Sequence, residues 1–313
     1  MRDAVDILHC TGNTAPISLP KRIKLITTIH DVMYLKDYSE LPKSASLYQR
    51  MGRVYRKIIV PRAARHVSML LTVSEFSKND ILKHIPELDK KRIKTIHEAA
   101  GESYRQIDKV KALEYVNRML NISGNYVLAL GALDPRKNTE LLIKSVLDLK
   151  QKNIMIEKLV IVGIPNWKES QFFRMIKGSK FETEILFTDY VSEEDLTCLY
   201  NGATVFLYPS LYEGFGIPPL EAMTCGVPVI TSNTTSIPEV VGDAAVLINP
   251  QNGEELTEAL LTLLSDETLR NTLRKRGFER ANQFSWLKMA KQTLEAYQEV
   301  YQCLPDDSHI CLK

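Results

Sequence analysis

Two glutamates, Glu213 and Glu221, lie eight positions apart between two apolar, strand-like runs. The loop after Glu213 carries Gly214 and Gly216, and a proline pair then opens a predicted helix, since proline is tolerated in a first helical turn. We expect Glu221 to lie in that first turn. A helix start with free N–H groups beside two carboxylates suits a ligand that has a phosphate and several hydroxyl groups.

The segment around these glutamates resembles the E-x7-E signature of the retaining family-4 glycosyltransferases, which have the GT-B architecture. Further segments match the family in family order: YVLALGALDPRKN, VGIPNW, TDYVSEEDLTCLYNGA, TSNTTSIPEVVGDAA and FSW. From about Val5 the match covers nearly the whole chain. The resemblance implies an α/β fold with two Rossmann-like, doubly wound domains that face a cleft.

A basic pair, Arg136 and Lys137, follows a predicted strand at 126–130, and a predicted helix begins near Asn138. Guanidinium and ammonium groups can neutralise a diphosphate leaving group without a metal. The resemblance implies that this pair binds the donor diphosphate. Some relatives carry an arginine where this chain has Ala132, so we expect more of that role to fall on the pair. A solvated basic turn is the alternative interpretation.

The resemblance implies that Glu213 faces the transferred sugar and that Glu221 accepts hydrogen bonds from the ribose hydroxyls. Stabilisation by the helix dipole is the alternative role for Glu221. The backbone of Gly214, Phe215 and Gly216 is expected to approach the sugar and phosphates, where side chains would obstruct. For these three residues the alternative is a plain tight turn.

His30 follows an apolar, strand-like run and precedes Asp31. A lone histidine is more often structural than catalytic. TIHD nevertheless resembles the family segment whose histidine faces the donor sugar, which implies that the sugar lies between Glu213 and His30 across the interdomain cleft. Asp31 is expected to cap or orient this turn.

Asp189, Tyr190 and Val191 follow a predicted strand at 185–187 and resemble the segment that lies against the nucleobase in the family. Backbone contacts would read the base there. The sequence contains no Asp-x-Asp pair and no zinc or P-loop signature, which favours metal-independent transfer. We therefore expect no metal ligands and no cofactor, the donor substrate being a nucleotide-diphosphate sugar.

Short β-branched runs alternate with helical stretches along the chain, a pattern that predicts parallel sheets. We predict a partial acceptor-side Rossmann-like domain with a linker at 1–121 and a nucleotide-sugar donor-binding domain at 122–285. The resemblance implies that a C-terminal helix at 286–303 crosses back to the first domain, and residues 304–313 form a tail.

The start of the chain resembles the middle of the family's N-terminal domain, and no glycine-rich loop precedes it. We therefore expect the acceptor-side domain to be incomplete. Another polypeptide could supply the missing piece, the start codon could be misassigned, or the chain could be a degraded remnant.

The composition is that of a soluble globular protein, with 44% hydrophobic and 25% charged residues. No run approaches the roughly 18 apolar residues of a membrane span, and the N-terminus lacks a signal-peptide pattern. We expect a cytoplasmic protein.

Charge is unevenly distributed along the chain. Residues 1–111 hold 21 Lys/Arg against 12 Asp/Glu, while 112–313 hold 19 Lys/Arg against 26 Asp/Glu. This difference indicates two domains with different partners.

The segment 46–68 is basic and has an amphipathic pattern. It could rest on the anionic inner face of a membrane, or it could be an ordinary surface helix whose apolar face packs on the sheet. We expect no nucleic-acid binding, because no platform of aromatic and basic residues is present.

These observations predict a hexosyltransferase that retains the anomeric configuration, with a glycan or lipid-linked acceptor in polysaccharide or lipopolysaccharide synthesis. The sequence variants most resemble those of O-antigen mannosyltransferases, so mannose from GDP-mannose is the first expectation. No catalytic base is evident, which fits a mechanism in which the leaving phosphate takes the acceptor proton. The alternative is a non-catalytic nucleotide-sugar-binding subunit that needs a partner to supply the missing N-terminal segment.

Overall fold

A computed structural model of the chain describes residues 5–20, 22–37, 47–151 and 158–302, with the side chains of 47–49 excepted. The predicted tail at 304–313 and residue 46 of the basic segment lie outside these ranges. The strands are β1 Ile7–Cys10, β2 Lys24–Thr28, β3 Met69–Thr72, β4 Ile93–Thr95, β5 Tyr126–Leu130, β6 Lys158–Val162, β7 Ile185–Phe187, β8 Val205–Tyr208, β9 Val229–Ser232 and β10 Val246–Ile248.

The α-helices are α1 Leu47–Ala64, α2 Glu75–His84, α3 Lys109–Leu120, α4 Thr139–Gln151, α5 Gln171–Ile176, α6 Glu193–Gly202, α7 Ile217–Thr224, α8 Ile237–Val241, α9 Gly253–Ser265, α10 Glu267–Ala281 and α11 Trp286–Gln302. Short 3₁₀ turns occur at Met33–Leu35, Lys90–Arg92, Pro135–Lys137 and Trp167–Glu169.

The described residues form two parallel sheets. One has the strand order β1-β2-β3-β4, and the other has the order β10-β9-β8-β5-β6-β7. Every strand pair is parallel, and from β2 onward helices lie between successive strands. The predicted doubly wound α/β class is confirmed.

Burial on both faces explains the continuous apolar runs of the central strands. In β5, Val127, Leu128 and Ala129 are fully buried. Val127 and Ala129 belong to one apolar cluster with Leu142 of α4 and Leu260 of α9. Helices α4 and α9 therefore pack against one face of the second sheet.

The chain divides into two compact units, one drawn from 1–37, 46–98 and 286–313 and the other containing 99–285. The sequence interpretation placed a boundary at 121/122, whereas the second unit begins at Ala99. The reason is that α3 packs against α6 of the second unit. In the first unit the Tyr297 hydroxyl of α11 lies 2.6 Å from Nδ1 of His9 in β1.

β1 was not predicted, because its four residues are only half-buried and give no strong apolar signal. β9 begins at Val229, because the N–H of Val227 bonds to the carbonyl of Ala222 in α7.

The basic segment forms α1, in which Pro61 occupies the last turn. Among the described residues, no helix combines the length and apolar character that crossing a membrane requires.

Candidate functional site

The loops that follow β5 and β8 meet at the carboxyl edge of the second sheet, because these two strands are neighbours. Ligands of doubly wound folds bind at this edge. The N–H of Leu211 donates to the carbonyl of Arg136 over 2.7 Å. This bond joins the loop of the predicted basic pair to the loop that leads to Glu213.

Asn138 holds three loops together at the same edge. Its backbone is left-handed, with φ 56°, a conformation that asparagine tolerates better than most residues. Its Nδ2 donates to the carbonyl of Pro209 over 3.1 Å and to that of Pro250 over 2.6 Å. The loops after β5, β8 and β10 are thereby tied through one side chain.

Only one of the two carboxylate oxygens of Glu213 accepts hydrogen bonds from the described residues. Its Oε1 accepts from Nζ of Lys137 at 2.7 Å, from the Tyr208 hydroxyl at 2.8 Å and from Oγ of Ser210 at 2.6 Å. Its Oε2 has no hydrogen-bond partner among the residues that the structure describes. The glutamate therefore has one saturated oxygen and one that is free to accept from a ligand.

Charge keeps this carboxylate ionised. Burial acts to raise the pKa of Glu213, but the charges of Lys137 and Arg136 and the hydrogen bonds from Lys137 and Ser210 outweigh it, so the pKa is lowered. The side chain of Glu213 is only 12% exposed, which leaves little water to screen the ion pair.

The basic pair is fixed by its own neighbours. Lys137 also donates to the Tyr208 hydroxyl, so two of the three ammonium donors are used. Nε of Arg136 lies 3.0 Å from Oδ2 of Asp134. Asp134 also accepts from the backbone N–H of Arg136 at 3.0 Å, which shapes the turn at the strand end.

Position 216 requires a glycine because of its backbone conformation and the close approach of a neighbouring side chain. Its φ is +118°, and an added Cβ would lie 2.6 Å from Cδ1 of Ile237. The neighbouring Phe215 is buried and meets Phe284 edge to face at 5.7 Å. Ser236 donates towards the carbonyls of Glu213 and Phe215, so α8 supports the loop from behind.

Glu221 does not lie in the first turn of its helix, contrary to the sequence prediction. α7 begins at Ile217, ahead of the proline pair, so Glu221 falls in the second turn. It is 9% exposed, and its Oε2 accepts from the Tyr200 hydroxyl at 3.2 Å. The helix dipole therefore does not explain this residue.

Burial dominates the ionisation of Glu221. It raises the pKa of this carboxyl to about 7, with the charge of Glu193 acting in the same direction and hydrogen bonds from Tyr200 and Tyr104 acting against it. Burial is the largest cause of a raised pKa of Tyr208, and the charges of Glu213 and Glu221 act in the same direction. Tyr208 therefore lies within electrostatic range of both glutamates.

The predicted nucleobase segment lies at the same edge of the sheet, after β7. Oδ1 of Asp189 accepts from the backbone N–H of Asn166. Tyr190 is 80% exposed, and Val191 is half-buried. No hydrogen bond recorded for the described residues joins these two to the glutamates.

His30 lies in the first unit, just beyond β2. Its Nδ1 is 3.2 Å from Oε1 of Glu98, and its Nε2 is 3.0 Å from the carbonyl of Thr11. The hydrogen bond to Glu98 is the largest cause of a raised pKa, and burial opposes it. Because both ring nitrogens face acceptors, the protonated imidazolium fits this site best. Asp31 accepts from the N–H of Met33, which orients the start of the turn.

The structure thus joins Lys137 directly to Glu213, places Arg136 within electrostatic range of Glu213 and places Glu221 within electrostatic range of Tyr208. Several partners were missed by the sequence analysis: Tyr208, Ser210, Tyr104, Tyr200, Asn138 and Glu98. Their positions at or near strand ends were the available signal for Tyr208, Ser210 and Asn138. Within the described ranges, no group of three or more His, Cys, Asp or Glu residues is arranged to hold a metal ion.

Comparison with known proteins assigns the family. The family described as "Glycosyl transferases group 1" matches residues 118–280, and "Glycosyltransferase Family 4" matches residues 1–99. HepE of Anabaena, solved in complex with UDP and glucose, aligns with TM-score 0.72 at 21% identity over 89% of this chain and 72% of its own. This likeness shows a shared GT-B fold.

Curated relatives agree with the family match. O-antigen chain mannosyltransferase B of Escherichia coli is 32% identical over 95% of this chain and 76% of its own length. Serotype-specific mannosyltransferase WbdA of Escherichia coli is 27% identical over 74% of this chain, which spans only 29% of that relative. By the group 1 match and the 32% identity, the chain belongs to the group 1 glycosyltransferases.

Proposed function

We propose that the chain is a retaining mannosyltransferase that moves mannose from a nucleoside-diphosphate sugar, GDP-mannose being the first candidate, to a hydroxyl of a glycan or lipid-linked acceptor. The mannosyltransferase names of the two Escherichia coli relatives support the sugar and the O-antigen setting. The UDP and glucose in the HepE structure support a nucleotide-sugar donor.

The half-satisfied carboxylate of Glu213 carries this proposal. Lys137, Tyr208 and Ser210 saturate Oε1 and hold the side chain still. Oε2 faces no partner within the described residues and can accept from a sugar hydroxyl. A carboxylate that is kept ionised and fixed beside a lysine suits a site where positive charge develops on a sugar and negative charge on a diphosphate.

Transfer breaks the bond between the sugar C1 and the β-phosphate oxygen and forms a bond from C1 to the acceptor oxygen on the same face. The acceptor proton passes to the departing diphosphate, so no side-chain base is needed. The charge on that leaving group would be balanced by Arg136 and the third ammonium donor of Lys137. This route uses no metal.

Glu221 would accept hydrogen bonds from the ribose hydroxyls, since it is a buried carboxylate within electrostatic range of Tyr208. The backbone of Gly214, Phe215 and Gly216 would approach the diphosphate and sugar, since the two glycines carry no side chain that would obstruct the approach. The segment at Tyr190 and Val191 would contact the base. These roles extend the same proposal.

The test is turnover of GDP-mannose by the purified full chain, with release of GDP measured and the anomeric configuration of the product read by NMR. Lys137→Ala and Glu213→Gln should each lower the rate by about tenfold or more, because each removes a fixed charge beside the reacting groups. Lys144→Ala is the matched control, because Lys144 of α4 makes only an exposed ion pair with Glu140 at 2.6 Å.

Release of GDP without dependence on Glu213 or Lys137 would refute the site assignment, and an inverted product would refute retention. Tight GDP-mannose binding without any turnover would favour the alternative, a nucleotide-sugar-binding subunit completed by a partner protein.

We further propose that α1 contacts an anionic membrane surface. Met51, Val54, Tyr55 and Ile58 share one side of this helix and are 73%, 58%, 56% and 47% exposed. Cationic side chains occur along the same helix. An exposed apolar stripe with nearby cations suits the interface of an anionic bilayer, where a lipid-linked acceptor would be found.

A further inference from the structure

A cavity lies at the edge of the second sheet opposite to the edge that carries Glu213 and Glu221. It has a volume of about 870 Å³, within the range of small-molecule sites. Tyr126, the first residue of β5, lines it together with Thr204 and Gly226, which precede β8 and β9. The cavity therefore opens at the amino ends of strands whose carboxyl ends carry the candidate donor site.

Two arginines of α10 are held in this cavity by carbonyl groups. Nη1 of Arg270 donates to the carbonyls of Leu263 at 2.5 Å and Leu264 at 2.8 Å. Nε of Arg274 donates to the carbonyl of Gly226 at 2.9 Å. The Nη2 group of each arginine has no protein partner among the described residues, so each guanidinium is fixed and keeps unused donors.

Lys109 places a third cation beside them. It is the first residue of α3, where the helix dipole opposes a positive charge. Its ammonium group has no hydrogen bond or ion pair within the described part of the chain. The pKa of Lys109 is lowered, first by reduced contact with water and then by the charges of Arg274 and Arg270, while Glu267 acts in the opposite direction.

Two acidic residues also line the cavity, but neither neutralises the cluster. Asp108 caps α3 by accepting from the N–H of Lys111, and Glu267 lies in the exposed first turn of α10. No salt bridge recorded for the described residues joins either one to Lys109, Arg270 or Arg274. Within the described residues the three cations thus lie near one another without a salt bridge to either acidic residue.

We propose that this cavity binds a small molecule that bears a phosphate group, at a site separate from the donor site. The Nη2 donors of two guanidinium groups that are already held in place match phosphate oxygens, and the ammonium group of Lys109 adds a third cation. Bound phosphate would relieve the repulsion among the three cations. The remaining volume and the amide side chains of Asn125 and Asn271 would accommodate the rest of the molecule.

The test is isothermal titration calorimetry with inorganic pyrophosphate at constant ionic strength, using the full chain. Lys109→Met removes the unpaired cation, and Lys111→Met is the matched control, because Lys111 is exposed on the same helix and does not line the cavity. Lys137→Ala disables the donor site. We expect a site that survives Lys137→Ala and Lys111→Met and loses about tenfold or more in affinity in Lys109→Met.

Thermal melts without ligand separate binding from folding. Lys109→Met should melt at or above the wild-type temperature, since it removes a repelled charge. Equal pyrophosphate affinity in Lys109→Met and Lys111→Met would overturn the proposal, as would complete loss of pyrophosphate binding in Lys137→Ala alone. Binding of GDP is measured in parallel, so that failure of the donor site is distinguished from failure of this one.

Discussion

Nζ of Lys137 and Oε1 of Glu213 lie 2.7 Å apart, although the two residues belong to loops after different strands. Lys137→Ala leaves a buried carboxylate without its cation, so we expect the free energy of unfolding to fall by roughly 1–3 kcal/mol. Urea denaturation at pH 7 measures this loss.

Lys137→Met combined with Glu213→Gln should recover stability but not donor turnover. Additive losses in the double variant would contradict the coupling.

The pKa of Glu221, about 7, predicts that stability depends on pH. The unfolded carboxyl titrates near 4.5, so between pH 4.5 and 7 the folded chain binds more protons and stability falls as pH rises, by on the order of 3 kcal/mol. Glu221→Gln should remove this dependence and raise stability at pH 8. Urea midpoints across this range measure the effect, and parallel curves for both proteins would contradict it.

Donor binding should show the opposite trend with pH. If the Glu221 carboxylate accepts from ribose hydroxyls, its ionised form binds GDP more tightly, so the dissociation constant should fall as pH rises through about 7. Calorimetric titration with GDP between pH 5.5 and 8.5 measures this. Affinity that is independent of pH would exclude the ribose role.

The His30–Glu98 contact predicts a raised imidazole pKa. The stabilisation from this contact is fully present below the unfolded pKa of histidine, about 6.5, and is lost as pH rises through the higher folded value. Glu98→Gln should therefore lower the pKa of His30, as followed by NMR titration of the ring nitrogens. An unchanged titration in Glu98→Gln would mean that Glu98 is not the cause.

Gly216→Ala should be costly for two separable reasons. A left-handed backbone costs an L-residue about 1–2 kcal/mol, and the contact with Ile237 adds about 1–3 kcal/mol of overpacking. Gly178→Ala is the matched control, because φ is +75° there and an added Cβ meets nothing within 4 Å. Ile237→Val removes the clashing Cδ1, so Gly216→Ala should cost less in that background. Equal costs in both backgrounds would contradict the overpacking.

The exposed stripe of α1 should contribute to membrane binding. Val54→Ser with Ile58→Ser removes about 2 kcal/mol of apolar transfer free energy, so the fraction that cosediments with vesicles containing phosphatidylglycerol should fall sharply. Val110→Ser is the control, since Val110 of α3 is 63% exposed on another helix. A wild-type chain that stays in the supernatant at low salt would exclude the contact.

The sequence pattern was sufficient to predict the parallel sheets, and the family resemblance assigned Lys137 and Glu213 to one donor site. Such predictions work because carboxyl ends of parallel strands share an edge. It could not show that Tyr208 and Ser210 saturate one oxygen of Glu213, since hydrogen-bond geometry depends on how the loops are folded. The helix-turn position of Glu221 was wrong because α7 starts before its prolines rather than at them.

The side-chain amide of Asn138 has a consequence for recognition. By donating to the carbonyls of Pro209 and Pro250, it holds the loops after β5, β8 and β10 in one arrangement once the second unit has folded. Their conformational entropy is then lost during folding rather than when a ligand arrives. Less of the free energy of ligand contacts is spent on ordering the protein, and more of it is retained as affinity.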